Sequence, residues 1–239
     1  MSLGGTKPAI IAGHSLGEYT ALVAAGALSF ADALALVRYR AQAMQQAVPE
    51  GTGGMAAILG LDDAIIETIC RDITAQTNGE SLEPANFNAP GQVVIAGHKN
   101  AIQQGIELAK TKGAKRAIML PMSIPSHCSL MKPAAEQMKQ QLEKVPLHAP
   151  DLPILHNADV KSHTNPATIK DRLVQQLVSP VRWVDTIRAI AATGVTHVVE
   201  CGPGKVLAGL NKRIDQNLQQ LSLADSETIK QAVNQLKAS

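Results

Sequence analysis

The amino-acid sequence predicts an α/β protein in which a parallel-sheet domain carries a smaller insert. Near both ends of the chain, short apolar runs that end close to a glycine are followed by helical patterns, as in parallel sheets. A cluster of proline and glycine at 49–54 then interrupts the chain and indicates a boundary. The segment beyond this cluster has its own succession of strands and helices, which favours a separate subdomain.

The first part of the chain predicts one strand and two helices. Residues 8–13 form an apolar run ending in glycine, which is typical of a buried parallel strand. A helix is expected over 15–25, closed by Gly26, because glycine readily adopts the conformation that ends helices. Ser29, with an aspartate three positions later, resembles a capping box and predicts a second helix over 29–48.

Residues 50–120 are predicted to form the inserted subdomain. Its expected strands lie at 55–60, 83–87, 92–97 and 114–120, and its expected helices at 62–75 and 99–112. This β-α-β-β-α-β order is that of a ferredoxin-like unit. The main domain therefore comprises residues 1–49 and 121–239.

The second part of the main domain begins with a loop at 121–128. The elements expected after it are helices at 130–144, 166–177 and 183–193, strands at 152–156 and 196–200, a helix from about 205, and a last helix at 225–237.

The composition excludes several classes of protein. The net charge is +2 and aromatic residues make up 2%, which argues against a nucleic-acid partner. Three widely spaced cysteines show neither a metal spacing nor a disulfide framework, so we expect a reducing, cytoplasmic setting and no metal or other cofactor. No uncharged apolar run is long enough to span a membrane, and the first seven residues lack a signal-peptide core.

The strongest local signal is the sequence Gly-His-Ser-Leu-Gly at 13–17, which lies between a predicted strand and a predicted helix. This is the G-x-S-x-G pattern, in which a serine on a sharp turn exposes its hydroxyl as a nucleophile. It predicts Ser15 as the nucleophile of an α/β-hydrolase-like domain. The amide of Leu16 is at the start of the helix, where it can stabilise an oxyanion.

A longer string, Gly-His-Ser-Leu-Gly-Glu-Tyr at 13–19, resembles the nucleophile motif of the malonyl-CoA:acyl-carrier-protein transacylases of bacterial type II fatty acid synthesis. Further segments resemble that family in the right order, at 37–44, 86–97, 123–131 and 202–207, so that the resemblance covers 8–225. It implies transfer of a malonyl group from malonyl-CoA to the pantetheine thiol of acyl carrier protein through a malonyl-serine intermediate. The activity belongs to fatty acid biosynthesis, and we expect a monomer.

The resemblance also implies roles for individual residues. His127, in a proline-containing loop where the chain re-enters the main domain, is the base that takes the proton of Ser15. The main-chain carbonyl of Gln176 orients its imidazole. Arg40 grips the free carboxylate of the malonyl group, and His14 lines the pocket.

Other residues compete for these roles. Surface positions are expected for His98, His148 and His163, and positions in the core or at a strand edge for His156 and His197. Cys128 is a rival nucleophile beside a histidine, but a small buried cysteine is the better interpretation. Arg38 is the alternative to Arg40.

One family feature has no counterpart. The family carries an earlier segment with a Gly-Gln-Gly-Ser-Gln-type loop that supplies the second oxyanion amide, whereas here the nucleophile strand begins at residue 8. We therefore expect a fragment of a longer protein, weak on its own, since one oxyanion donor is worth roughly 100- to 1000-fold in rate. Two alternatives stay open: a serine esterase or thioesterase, and a non-catalytic domain that binds the carrier protein.

Overall fold

The computed structural model describes residues 5–237, so the outer ends of the predicted main domain, at residues 1 and 239, lie outside the described part. The helices are α1 (Gly17–Ala24), α2 (Phe30–Gln46), α3 (Asp63–Gln76), α4 (Lys99–Thr111), α5 (Lys132–Glu143), α6 (Pro166–Leu177), α7 (Trp183–Ala192), α8 (Val206–Ile214) and α9 (Ser226–Lys237). The strands are β1 (Ile11–Ala12), β2 (Gly53–Leu59), β3 (Leu82–Ala89), β4 (Gln92–His98), β5 (Arg116–Met119), β6 (Ile154–Leu155), β7 (His197–Cys201) and β8 (Gln219–Leu223).

The nucleophile strand is parallel, as predicted, but shorter than expected. β1 pairs with β6 over two residues, and the main-chain N–H of Ile11 also donates to the carbonyl of Pro153 at 2.9 Å. Proline has no N–H to extend the ladder at that end. At the other end the N–H of His156 turns back to Lys161 O, at 3.1 Å. The pairing of β1 with β6 is therefore limited to two residues on each strand.

A second parallel pair joins β7 to β8 over five residues, with His197 opposite Gln219. The sequence predicted β7 but not β8, whose short, partly polar stretch gives no strong alternation. Within residues 5–237 the parallel strands form these two separate pairs.

The insert follows the predicted order of elements, and every bound lies within two residues of the prediction. Its four strands form an antiparallel sheet in the order β3-β4-β2-β5. Pro84 lies in β3, at the edge of this sheet and next to a bulge, where a missing N–H disturbs no ladder. α3 and α4 cover the sheet with a buried cluster that includes Ile66, Ile95 and Ile102.

The outer edge of β3 is tied to the main domain. The N–H of Phe87 donates to Val181 O at 3.0 Å, and the N–H of Val181 donates to Ala85 O at 2.9 Å. These two hydrogen bonds fix the end of β3, including Asn88, beside the turn that carries Ser15.

The helices α1, α2, α5 and α6 enclose the larger core of the main domain. Ser29 caps α2, because its hydroxyl accepts the N–H of Asp32 at 3.0 Å, as the sequence predicts. Arg40 lies on the buried face of α2, one turn beyond Leu36 and one turn before Met44. Among residues 5–237, no helix is long and apolar enough to cross a bilayer.

Candidate active site

The turn between β1 and α1 holds Ser15 in a strained backbone conformation. Ser15 has a φ of 50°, a left-handed value that non-glycine residues seldom adopt. Gly13 permits the turn, because a Cβ at this position would lie 2.0 Å from the carbonyl carbon and oxygen of Gly17. At Gly17 itself an added Cβ would meet no atom within 4 Å among the described residues, so close packing constrains only the first glycine of the motif.

Ser15 and His127 meet although 112 residues separate them. The Oγ of Ser15 lies 2.8 Å from Nε2 of His127, and Nδ1 of the same ring lies 2.8 Å from the main-chain oxygen of Gln176. Because a carbonyl oxygen can only accept, Nδ1 carries the proton and Nε2 is left to accept the hydroxyl of Ser15. The imidazole is therefore held in the tautomer that a general base requires.

Burial keeps His127 neutral. Its side chain is almost inaccessible, and desolvation is the main cause that lowers its pKa to about 3, with smaller contributions in the same direction from the charges of Arg40 and His14. The hydrogen bond to the carbonyl of Gln176 opposes this shift only in part. At neutral pH the ring is thus a free base, ready to accept a proton. His127 also has a left-handed backbone, with a φ of 62°.

Arg40 points into the same site, whereas Arg38 is exposed. Nη2 of Arg40 donates to Ser15 Oγ at 3.0 Å and to the side-chain oxygen of Gln176 at 3.1 Å. The guanidinium of Arg40 lies 5.9 Å from the centre of the Tyr19 ring. Only 7% of the residue is exposed. Burial lowers the pKa of Arg40, but a guanidinium stays charged in proteins.

Arg40 makes no direct ion pair among residues 5–237, although the nearby charge of Glu18 opposes part of the fall in its pKa. Within residues 5–237 no carboxylate oxygen lies within 4 Å of the guanidinium, and the buried Nε atom has no hydrogen-bond partner. A buried cation without a paired anion is costly. The arrangement therefore favours a negatively charged ligand next to Ser15.

His14 and Leu16 flank the nucleophile on either side. The ring of His14 donates from Nε2 to Asn88 Oδ1 at 2.8 Å and packs 5.4 Å from the ring of Trp183, and burial lowers its pKa. His14 thus leaves the turn in a different direction from Ser15, towards β3. The main-chain N–H of Leu16 donates to no atom of the described residues, so it is available for an oxyanion.

Sequence reasoning missed two polar residues beneath the nucleophile. Asn157 follows β6 and accepts the N–H of Ser15 at 2.7 Å, while its own amide donates to Gly13 O at 2.7 Å. Glu18, in the first turn of α1, is fully buried and accepts the N–H of Asn157 at 3.0 Å. The position of Asn157, at the carboxyl end of the strand paired with β1, was the signal that could have indicated it.

The competing residues lie elsewhere or are inert. Cys128 is fully buried, its thiol donates to Pro125 O at 3.1 Å, and burial raises its pKa to about 12, so it is no thiolate nucleophile. His156 is buried, as expected, but contacts Glu18. His148 is exposed, whereas His98 and His163 are half-buried rather than free surface residues, since each makes a hydrogen bond. No cluster of His, Cys, Asp and Glu suited to a metal ion occurs in the described part of the chain.

An α/β fold with a serine on a strand-to-helix turn and a histidine within hydrogen-bond distance is typical of enzymes that move acyl groups. The family model of the acyl transferase domain matches residues 1–232. The malonyl CoA-acyl carrier protein transacylase of Salmonella typhimurium is 52% identical over 232 residues, which cover 97% of this chain and 74% of the relative.

Solved structures agree with this match. The acyl-carrier-protein S-malonyltransferase of Burkholderia pseudomallei is 56% identical with a TM-score of 0.95, over 98% of this chain and 75% of that one. A malonyl-transacylase solved in complex with a type II PKS acyl-carrier protein is 45% identical with a TM-score of 0.95, over 98% and 75% of the two chains. The chain belongs to the malonyl CoA-acyl carrier protein transacylases, within the acyl transferase domain family.

Proposed function

We propose that this protein transfers the malonyl group from malonyl-CoA to the pantetheine thiol of acyl carrier protein, through a malonyl ester on Ser15, in fatty acid biosynthesis. The observation that carries the proposal is the buried guanidinium of Arg40, which contacts Ser15 Oγ and has no carboxylate partner among residues 5–237. In malonyl-serine the free carboxylate is separated from Oγ only by the carbonyl and methylene carbons. A cation that reaches Oγ also reaches this carboxylate.

The first half-reaction forms the ester. Nε2 of His127 takes the hydroxyl proton while Ser15 Oγ bonds to the thioester carbonyl carbon. The electron pair of the carbonyl moves to its oxygen, which the N–H of Leu16 stabilises. When the carbonyl re-forms, the carbon–sulfur bond breaks, and the sulfur of coenzyme A leaves with the proton from Nε2.

The second half-reaction runs the same steps in reverse with a different thiol. Nε2 accepts the proton of the pantetheine thiol, and the sulfur attacks the ester carbonyl. The carbon–oxygen bond to Ser15 then breaks, and Oγ recovers its proton from His127. The carbonyl of Gln176 holds the imidazole in one orientation throughout, and His14 with Asn88 forms a wall of the acyl pocket.

Selectivity for malonyl over acetyl follows from the charge. Arginine offers two parallel N–H donors to a carboxylate, and Nε of Arg40 is already buried without a partner. A malonyl carboxylate supplies the missing acceptors. An acetyl group, which has no carboxylate, gains nothing from the guanidinium.

The finer description of the fold is part of the proposal. The strand order β3-β4-β2-β5, with two helices on one face, supports a ferredoxin-like subdomain at 50–120. The turn at Ser15 supports an α/β-hydrolase-like domain formed by 1–49 and 121–239. We also propose that the protein acts as a monomer in the cytoplasm.

Replacement of Arg40 tests the proposed substrate. Arg40→Ala should lower kcat/KM for malonyl-CoA tenfold to a few hundredfold, because a lost hydrogen bond to a charged group costs roughly 1.5 to 3 kcal/mol and a stranded carboxylate more. Acetyl-CoA should be spared, and Arg40→Lys should restore only part of the malonyl activity. Arg38→Ala, an exposed position two residues away, is the matched control. A malonyl-to-acetyl ratio unchanged by Arg40→Ala would refute the proposal.

Covalent labelling separates the transferase from an esterase. Malonyl-CoA should add one malonyl mass to the peptide that contains Ser15, and Ser15→Ala should abolish this addition. A pantetheine thiol should then receive the group faster than water does. Label on Cys128, or release to water at the same rate with and without the thiol, would contradict the assignment.

A further inference from the structure

The side chain of Gln176 connects the nucleophile turn to Arg40. Gln176 lies in the last turn of α6 and is fully buried. Its Nε2 donates to Ser15 O at 3.0 Å and to Glu18 Oε2 at 2.8 Å, and its Oε1 accepts from Nη2 of Arg40 at 3.1 Å. One amide therefore contacts the turn, a buried carboxylate and the guanidinium together.

The orientation of this amide is dictated from both ends. Arg40 can only donate hydrogen bonds, so it requires the amide oxygen. A main-chain carbonyl and a carboxylate oxygen accept, so Ser15 and Glu18 require the NH2 group. A flipped amide would set donor against donor at Arg40 and acceptor against acceptor at Glu18.

Glu18 is itself held firmly. Its Oε2 also accepts the N–H of Asn157 at 3.0 Å, and its Oε1 lies 2.7 Å from Nδ1 of His156. Neither Glu18 nor His156 is accessible to solvent. Glu18 lies in the first turn of α1, where the helix N-terminus favours negative charge. The acceptor for the Gln176 amide is thus a rigid part of the core.

We propose that Glu18 and Gln176 are positioning residues that aim Arg40 at the carboxylate of the acyl group on Ser15 and so set the preference for malonyl over acetyl. This inference rests on the proposed function. Of the two oxygen atoms that Nη2 contacts, Ser15 Oγ becomes an ester oxygen on acylation and accepts more weakly. Gln176 Oε1 then remains to fix the guanidinium.

Gln176 contributes to the site in two separable ways. Its main-chain oxygen receives Nδ1–H of His127, and its side chain receives Arg40. Every substitution keeps the main-chain oxygen. Replacement of the side chain removes the contact to Ser15 O, which affects all acyl groups alike, and the contact to Arg40, which affects the malonyl-to-acetyl ratio. The readout is therefore the malonyl-to-acetyl ratio of kcat/KM, which a purely structural role of Gln176 would leave unchanged. The pH dependence, which His127 sets, is not the readout.

The test compares Gln176→Met, which has a similar length and no polar atoms, with Gln175→Met, an exposed neighbour on α6. The malonyl-to-acetyl ratio of kcat/KM should fall about tenfold in Gln176→Met and stay unchanged in Gln175→Met, because misplaced substrate-binding groups cost rate steeply. Thermal unfolding checks that each variant is folded. If Gln176→Met does not fold, Gln176→Leu, a smaller apolar side chain, replaces it and should lower the same ratio, because it also lacks the oxygen that accepts from Arg40.

The outcomes are distinct. Suppose that Arg40→Ala lowers the malonyl-to-acetyl ratio but a folded Gln176 variant keeps the wild-type ratio. That result overturns the positioning role of Gln176 and leaves the role of Arg40 intact. A wild-type ratio in Arg40→Ala overturns the clamp, and with it this inference.

Glu18 has its own test. Glu18→Leu removes the acceptor for the Gln176 amide and should lower the ratio about tenfold. Glu18→Gln should restore it to within about threefold, because the amide oxygen can face Gln176 while the NH2 group faces His156 in its other tautomer. Equal ratios in the two variants would overturn the role of Glu18.

Discussion

At the scale of single residues, burial lowers the pKa of His127, the proposed base, while its hydrogen bond to Gln176 raises it. His127 is neutral because it is buried, yet its Nδ1–H and Nε2 both have defined partners, the carbonyl of Gln176 and the hydroxyl of Ser15. Proton transfer from Ser15 places a positive charge on a desolvated ring next to Arg40. In the proposed mechanism a malonyl carboxylate at Arg40 would offset that charge, so substrate binding would favour the protonated form of His127.

The depressed pKa of His127 predicts a pH-dependent stability. Between about pH 6.5 and 3 the unfolded chain binds a proton on this histidine and the folded chain does not, so the free energy of unfolding falls as the pH drops through this window. From pH 7 to pH 5 the contribution is about 2 kcal/mol. Between pH 7 and pH 5, urea denaturation should show a larger fall in the free energy of unfolding in wild type than in His127→Gln, because glutamine cannot bind a proton in this range. Equal falls in the two proteins would mean that the pKa of His127 in the folded protein is close to that of an ordinary histidine.

The sequence was informative about residues whose chemistry is marked by a motif, and silent about those marked only by burial. His14, Ser15, Leu16 and Glu18 belong to one short string, but the string does not show that Glu18 contacts Asn157, which lies 139 positions further along the chain. A glutamate in a helical first turn usually faces solvent, and nothing local signals that this one is fully buried. The side-chain role of Gln176 depends on the same long-range contacts.

At the scale of elements, the strand–turn–helix around Ser15 depends on one close approach of backbone to backbone. A Cβ at Gly13 would overlap the carbonyl of Gly17, while a Cβ at Gly17 has open space. Gly13→Ala should therefore lower the melting temperature by at least several degrees, since relief of the overlap requires the turn to move. The same movement should reduce the acylation of Ser15 by malonyl-CoA. Gly17→Ala is the matched control and should not lower the melting temperature. Similar melting temperatures in the two variants would contradict this account.

The elements themselves were predictable where local patterns are strong. The insert shows its β-α-β-β-α-β order in the sequence because β2 and β4 are largely apolar and the turns contain glycine or polar residues. α6 begins and ends at the predicted residues, with Asn165 capping it through the N–H groups of Ala167 and Thr168. β8 was missed because its pairing with β7 is a tertiary event, and β1 was overestimated because pairing, not hydrophobicity, defines where a strand ends.

At the scale of the whole molecule, the insert contacts the turn that carries Ser15. Its edge strand β3 is hydrogen-bonded to Val181 and brings Asn88 to His14, the residue before Ser15. The segment after β5 returns directly to the loop that carries His127. Because the end of the insert is close along the chain to the loop that carries His127, we propose that a carrier protein docks on the insert.

The carrier protein gives the last prediction. Acyl carrier proteins are acidic and favour a basic partner surface. The densest basic run of the sequence extends from the last turn of α4 to the first residue of β5 and is exposed at Lys110, Lys112, Lys115 and Arg116. Charge reversal at the last two positions should raise KM for the carrier severalfold, and increasingly so at low salt, because screening weakens these contacts in wild type. KM for malonyl-CoA should not change.

The same change of charge at Lys139 and Lys144, exposed on and just after α5, is the control for net charge. If both pairs of reversals raise KM for the carrier equally, the attraction is a property of the overall charge and not of this run. If neither does, the run is an ordinary solvated helix end, and docking depends on another face of the protein.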